Sequence, residues 1–362
     1  MNAPIQTAFV TGATGLLGGN LVRELAGRGV SVRALARDGA RAQRLLAGVP
    51  GVSIVPGELE DVASFAASLT GVDIVFHAAA YFRESYRGGS HQASLHAINV
   101  DGTRALLDAA YAHGVRRILH VSSIGTLVAK GSGGRAVDET MRREPESTRN
   151  DYFRSKILAD RVVEDALAQH GDLWAAFVLP GFMNGPGDSG PTAAGQTLID
   201  FAAGRLPGVV DAHLSYVDAR DVAHACVEAA LRAPRGERYV VAGRRLHLAE
   251  AYRLMEHATG AAAPTRRIPF TVLAAVAAAN EVWARLSGRP VLIGLATYRN
   301  LREEGPHNRY DSSKAERELG VRFRPVEATL RDAAEWLEAA GLLQSREVSV
   351  QRPRQAALRA KR

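Results

Sequence analysis

The stretch Thr7 to Gly19, TAFVTGATGLLGG, leaves this chain few ways to begin folding. Ala8, Phe9 and Val10 are a short apolar run of the kind that makes a buried parallel strand. The run breaks into Gly12, Gly15 and Gly18, and Leu16, Leu17, Leu21 and Val22 then begin a helical period that lasts to about Arg28. A strand, a tight turn and a helix N-terminus follow in that order. Helix N-termini leave backbone N–H groups unpaired at the positive end of the macrodipole, and a turn without side chains lets a pyrophosphate reach them. A glycine-rich turn between strand and helix also occurs for folding reasons alone, so context decides. Here Val30 to Ala36 supplies a second strand and completes the βαβ unit that dinucleotide binding requires.

The alternation continues. Val52 to Val55, Val72 to His77, Ile118 to Ser122 and Trp174 to Leu179 read as further strands, and the segments near His91 to His113 and Tyr152 to His170 read as helices between them. This predicts an α/β fold of Rossmann type, with a doubly wound parallel sheet over residues 1–180. The rhythm stops at Pro180 to Gly187. Residues 181–342 mix short helices with strands such as Arg238 to Val241, and read as a smaller substrate lobe interleaved with the sheet domain. Ligands of such sheets bind at the carboxyl ends of the strands. The polar loop Tyr81 to Ser90 and the long segment Lys130 to Asn150 are therefore placed over the site.

Charge excludes less than it first suggests. The net charge is +7, but Arg346 to Arg362 carries Arg346, Arg352, Arg354, Arg359, Lys361 and Arg362 against Glu347 alone. Most of the excess is thus a tail, residues 343–362, which reads as disordered and solvated. No specific nucleic-acid partner is expected. The single Cys226 precludes an internal disulfide and sits in an alanine-rich helical run, and MNAPIQT shows no basic stretch followed by an apolar one. The expectation is a cytoplasmic protein. Ile268 to Leu286 is the most apolar stretch, interrupted by Pro269, Asn280, Glu281 and Arg285. It reads as a buried or lobe-capping helix, with weak membrane-surface contact as the second reading and no transmembrane span. The histidines are scattered without metal-ligand spacing, so no metal site is expected.

Tyr152 and Lys156 form YxxxK, and four residues along a helix put both on one face. A phenol is a poor acid near neutral pH, but an ammonium beside it stabilises the phenolate and lowers its pKa. Tyr152 then exchanges a proton with a carbonyl oxygen as hydride is transferred. Tyr and Lys four apart also occur by chance on helix surfaces. The Ser122-Ser123 pair upstream and the opening glycine turn give the motif weight.

In this order and at these separations, the elements resemble the extended short-chain dehydrogenase/reductase superfamily, the NAD-dependent epimerase/dehydratase family, over roughly Thr7 to Leu342. The TGxxGxxG opening, His77-Ala78-Ala79-Ala80, Asn99-Val100-Asp101-Gly102-Thr103 and Tyr310 to Ala315 all match its patterns. The resemblance implies Ser123, Tyr152 and Lys156 as the catalytic set, with Ser123 bonding the substrate oxygen and Lys156 also bonding the nicotinamide ribose. Ser122 is expected to face backbone at the strand end. It implies a cofactor site of Gly12, Thr14, Gly15, Leu16, Leu17, Gly18, Arg37, Glu58, Leu59, Ala78, Ala79, Ala80, Asn99, Ser122, Tyr152, Lys156 and Pro180. Glu58 stands where the family usually has Asp.

Arg37 ends the second strand, with Arg41 and Arg44 on the next helix, and a cation there suits the 2′-phosphate of NADP. NAD is the alternative, because these arginines also read as a solvated face and Asp38 can partner Arg37. The group most resembled is dihydroflavonol-reductase-like, which implies NADPH-dependent reduction of a ketone or aldehyde on a small molecule. Nucleotide-sugar epimerases and dehydratases, with tightly bound NAD, are the competing reading. Their Arg, Asn and Arg contacts appear here as Leu179, Phe182 and Leu214, which favours an uncharged, apolar substrate. A non-catalytic dinucleotide sensor is the outsider. The resemblance allows a homodimer through the helices at His91 and Tyr152.

Overall fold

The computed structural model describes residues 4–82, 91–128, 135–287, 294–303 and 309–343. Its strands are β1 (Thr7–Thr11), β2 (Ser31–Ala36), β3 (Val52–Pro56), β4 (Ile74–His77), β5 (Arg117–Val121), β6 (Trp174–Pro180), β7 (Phe182–Asn184), β8 (His213–Asp218), β9 (Arg238–Val241) and β10 (Arg244–His247). Seven of them form one parallel sheet in the order β3-β2-β1-β4-β5-β6-β9. The order reverses between β1 and β4, and the binding crevice of such a sheet opens there. The other three make a small sheet, β10-β8-β7, in the C-terminal lobe.

The strands of the large sheet are mostly apolar, as suits a sheet covered by helices. Helix α1 (Leu16–Gly27), the short α2 (Gly39–Leu45), α3 (Gln92–His96), α4 (Gly102–Ala112) and α5 (Asp151–Gln169) arise from the crossovers. The lobe adds α6 (Ala193–Ala202), α7 (Ala219–Arg232), α8 (Leu248–Thr259), α9 (Phe270–Ser287), α10 (Leu295–Glu303), α11 (Ser313–Leu319) and α12 (Val326–Ala339). Successive strand residues go to opposite faces. Val10 and Phe76 bury with Leu17 and Leu21 of α1 and Val222 and Cys226 of α7, whereas Phe9 and Val75 bury with Leu106 and Leu107 of α4 and Val163 of α5. Leu198, Phe201, Tyr216, Met255 and Leu330 centre a third core within the lobe. The lobe is not detached. Strand β9 closes the large sheet, and α7 packs along α1.

The helix predicted near His91 to His113 is broken. One π turn, Ala97–Asp101, separates α3 from α4, and it carries Asn99. The Ile268 to Leu286 stretch becomes α9, whose Leu273, Ala277 and Ala284 are buried while Val272, Val276, Val282 and Trp283 stay exposed. Among the described residues no helix is long and apolar enough to cross a membrane. Of the two predicted loops over the site, 83–90 and 129–134 lie outside the described residues, as does the basic tail from Arg346.

The first turn leaves no room for a methyl group. A Cβ on Gly18 would lie 2.1 Å from the Gly12 carbonyl oxygen, whereas one on Gly27 at the other end of α1 would touch nothing within 4 Å. Gly18→Ala is therefore expected to destabilise the protein by about 1–3 kcal/mol. Gly27→Ala should be neutral or stabilising by up to about 1 kcal/mol. Urea unfolding of the two variants checks this, and equal stabilities would contradict the packing argument.

Candidate active site

The site is assembled at the carboxyl ends of β1, β4, β5 and β6. At the first of these, Gly12 takes φ +69° and Gly15 accepts the helix start in extended conformation. Only glycine fits at Gly12 for a second reason, since a Cβ would meet the Ala79 backbone at 2.9 Å. No side chain caps α1, so the N–H groups of its first turn have no side-chain acceptor. With Thr14 half-buried and Gly15 exposed beside them, these donors suit a pyrophosphate.

A buried chain of hydrogen bonds fixes the next strand end. The Ala79 N–H donates to Thr11 Oγ1 at 3.1 Å, and Thr11 Oγ1 meets His77 Nδ1 at 2.9 Å. His77 Nε2 meets Thr103 Oγ1 at 2.8 Å, and that hydroxyl donates onward to the Asn99 carbonyl at 2.7 Å. Because Thr103 spends its proton on Asn99, it accepts from His77, which fixes a neutral ring protonated at Nε2. Burial, with His120 and Lys156 nearby, holds the His77 pKa well below its ordinary value. The histidine thus ties β1, β4 and α4 together and sets Ala78 and Ala79, half-buried, and Ala80, exposed, along the crevice.

Asn99 works from its π turn. Its Oδ1 accepts the Tyr81 N–H at 2.6 Å, while its Nδ2 donates to the Tyr81 carbonyl at 3.1 Å and to Ser155 Oγ at 2.9 Å. Ser155 in turn donates to the Tyr152 carbonyl at 2.8 Å. Asn99 therefore links the loop after β4 to the first turn of α5. Asn150 caps that turn, accepting from the N–H groups of Tyr152 at 3.0 Å and Phe153 at 3.2 Å. The Phe153 ring occupies the space above Gly125, where a Cβ would lie 2.3 Å from it. Neither Asn150 nor Gly125 was marked by the sequence reading, although an Asn directly before a helical period is a capping signal.

The half-buried Tyr152 packs against Phe82, with ring centroids 4.7 Å apart. Lys156, one turn along, is buried and donates from Nζ to the Val121 carbonyl at 2.6 Å. Desolvation pulls its pKa down to about 8, with the Asp160 carboxylate acting in the opposite sense. Ser123 lies two residues beyond β5 and caps the short turn Ile124–Thr126 by accepting the Gly125 N–H at 3.1 Å. Ser122 does not face backbone with its side chain: its hydroxyl donates to Asp160 Oδ2 at 2.7 Å, because a carboxylate from the next turn of α5 lies within reach. Ser122, Ser123 and Lys156 are thereby gathered at one strand end.

The remaining predicted residues lie around these. Arg37 is exposed at the end of β2, and among the described residues it has no ion pair. Asp38 is not its partner, since its carboxylate caps α2 by accepting the Arg41 N–H at 2.9 Å. Arg41 instead reaches Ser189 Oγ at 3.0 Å, and Arg44 sits in the last turn of α2. Glu58 is exposed and Leu59 buried, the latter 3.0 Å from where a Cβ of Gly102 would be. Pro180 is buried at the end of β6. Beyond it, Phe182 and Leu214 pack against the lobe core, and Phe182 meets Tyr216 edge-on at 5.6 Å.

Comparison with known proteins agrees with this geometry. Residues 8–242 match the NAD dependent epimerase/dehydratase family. The chain is 34% identical over 340 residues to sterol demethylase protein B of Methylococcus capsulatus, covering 93% of this chain and 100% of that protein. It is 30% identical over 341 residues to a putative dihydroflavonol 4-reductase of Synechocystis, covering 93% and 96%. The crystal structure of gox2253 superposes with a TM-score of 0.78 at 31% identity, covering 94% of this chain and all of the other. This chain belongs to the NAD-dependent epimerase/dehydratase family of the extended short-chain dehydrogenases/reductases, as an NAD(P)-dependent enzyme.

Proposed function

We propose that the protein is an NADPH-dependent reductase of a ketone or aldehyde carried on an apolar or aromatic small molecule. The observation that carries this reading is the wall beyond β6, where Phe182 and Leu214 pack against the lobe core, Leu214 at the position that resembles the diphosphate-holding Arg of epimerases. A diphosphate needs cationic donors, and these side chains offer none. The relatives named for a dihydroflavonol and a sterol reaction support a carbon-rich substrate.

In this reading the α1 N-terminus binds the pyrophosphate and Arg37 pairs with the 2′-phosphate. When bound, the reduced nicotinamide supplies the hydride. Ser123 hydrogen-bonds the carbonyl oxygen, and Tyr152 donates its phenolic proton to that oxygen as negative charge develops there. Lys156 holds a positive charge one turn from Tyr152, which makes the phenol a better acid. Phe82, against the Tyr152 ring, helps exclude water from the reacting face.

Incubation with a panel of aromatic and aliphatic carbonyls plus NADPH should yield alcohols, and incubation with UDP- and dTDP-sugars without added cofactor should yield nothing. Sugar-nucleotide conversion without net cofactor consumption would install the epimerase reading, and silence on both panels would return the sensor reading to contention. On an active carbonyl, Tyr152→Phe should lower kcat more than about tenfold, a barrier increase above roughly 1.4 kcal/mol. Cofactor affinity should stay nearly unchanged. Lys156→Met should damage both.

For the cofactor, NADPH should be preferred over NADH. Arg37→Ala should raise the NADPH KM about tenfold or more while leaving NADH alone, since only NADPH carries the phosphate that a guanidinium grips. Equal weakening of both would make the arginine structural and favour NAD.

A further inference from the structure

Helix α5 carries a ladder of ionisable groups at four-residue intervals, Tyr152, Lys156, Asp160 and Glu164, all on one face. The first two belong to the chemistry proposed above. Asp160 is as buried as Lys156, at 2% exposure, and the mechanism leaves it unused. A carboxylate in that position is costly unless it is paired and hydrogen-bonded. Its partners come from every element around it. From β5, the Ser122 hydroxyl donates at 2.7 Å and His120 Nε2 lies 3.1 Å away. From β9, Arg238 reaches across β6, its guanidinium 4.6 Å from the centre of the Phe177 ring, to pair with Asp160 and, at 3.3 Å, with Glu164. His77 of β4 stands behind His120, ring centroids 5.5 Å apart.

Both histidines are held neutral by burial, His120 with a pKa of about 4, so they bring no charge near pH 7. The charged groups of this pocket are then Lys156, Asp160, Arg238 and Glu164. Two bonds one helical turn apart also fasten α5 to the end of β5: Lys156 to the Val121 carbonyl and Asp160 to the Ser122 hydroxyl. Ser123 is the next residue along.

We propose that Asp160 is a positioning residue of this enzyme, the counter-charge that keeps the neighbouring Lys156 an ammonium and the anchor that sets Ser122, and so Ser123, against α5. Its catalytic consequence rests on the assignment of Ser123, Tyr152 and Lys156 above, but its electrostatic part does not. Without the carboxylate, burial acts on Lys156 without the opposing Asp160 charge and favours the neutral amine. The ammonium would then be lost at a lower pH.

The chain has four lysines, Lys130, Lys156, Lys314 and Lys361, so carbon-13 labelling of lysine Cε gives a spectrum in which the Lys156 signal is assigned by its disappearance in Lys156→Arg. In the full-length wild-type protein this signal should titrate near pH 8. In Asp160→Asn its midpoint should fall by about one pH unit or more, and in Asp160→Glu, which keeps the charge, it should stay near the wild-type value. The other three signals should not move. Should Asp160→Asn fail to fold, Asp160→Asn/Arg238→Gln removes both charges together and is expected to show the same direction. An unchanged Lys156 midpoint in whichever charge-removing variant folds would overturn the proposal. On an active carbonyl substrate, the high-pH fall of kcat/KM should move down with the lysine. A shifted lysine with no loss of activity in Tyr152→Phe would instead overturn the functional reading and leave the electrostatic part standing.

Discussion

Everything at this site depends on backbone passing backbone at the end of β1. Gly18 lies against the Gly12 carbonyl and Gly12 against Ala79, so α1, β1 and the end of β4 meet with no side chain between them. That contact brings the helix N-terminus to the crevice where the sheet order reverses. It also places the Ala78-Ala79 backbone within reach of Thr11, from which the hydrogen-bond chain through His77 to Thr103 begins. One steric condition thus sets both the dinucleotide turn and the floor beside it. A larger residue at any of these points would force the three elements apart.

A second constraint is the burial of polar groups beneath α5. Buried ion pairs stabilise little in net terms, because desolvation offsets the attraction, but breaking one leaves an uncompensated charge. The Lys156, Asp160, Arg238 and Glu164 array is therefore better understood as a means of fixing geometry than as a source of stability. Its members come from α5 and from β9, the last strand of the sheet. Arg238 ties β9 to the helix that carries Tyr152, so the C-terminal half of the chain helps hold that helix in place.

The fold was legible because its signals are local and periodic. Short apolar runs, glycines at three-residue intervals and helical periods reach the strand ends to within a residue or two, as Trp174 to Leu179 does for β6. Spacing and resemblance singled out the three residues offered for catalysis. What stayed hidden depends on distance in sequence. Arg238 is 78 residues from Asp160, and nothing in the run Arg238 to Val241 says that its first side chain points back across the sheet. The π turn at Asn99 escaped for another reason: an extra residue in a helix leaves the apolar pattern nearly intact, and the cause lies in the bonds that Asn99 makes to Tyr81 and Ser155. Ser122 was expected to face backbone because its acceptor lies on another element. Asp38, adjacent to Arg37, was a natural ion-pair partner on paper, but a side chain at a helix N-cap is drawn to backbone N–H groups instead.

The lobe is a packing unit of its own. Its core, around Phe201, Tyr216 and Leu330, is separate from the two cores flanking the sheet, and Phe182 and Leu214 belong to that third core. A leucine in place of a cationic residue, or a phenylalanine in place of a polar one, at such a position extends an existing apolar cluster and leaves the buried ladder under α5 untouched. The reverse exchange would place a guanidinium against apolar packing, which is tolerated only if a ligand phosphate or a carboxylate pairs with it. The lobe wall thus belongs to one packing unit and the strand ends of the large sheet to others. The two communicate through β9 and the short loop between β6 and β7, where the Gly181 N–H bonds to the Val241 carbonyl and a Cβ on Gly181 would lie 2.7 Å from the carbonyl oxygens of Ser215 and Ala242. A second backbone crossing without room for a side chain therefore joins the lobe to the sheet, as the first joins the helix to the strand.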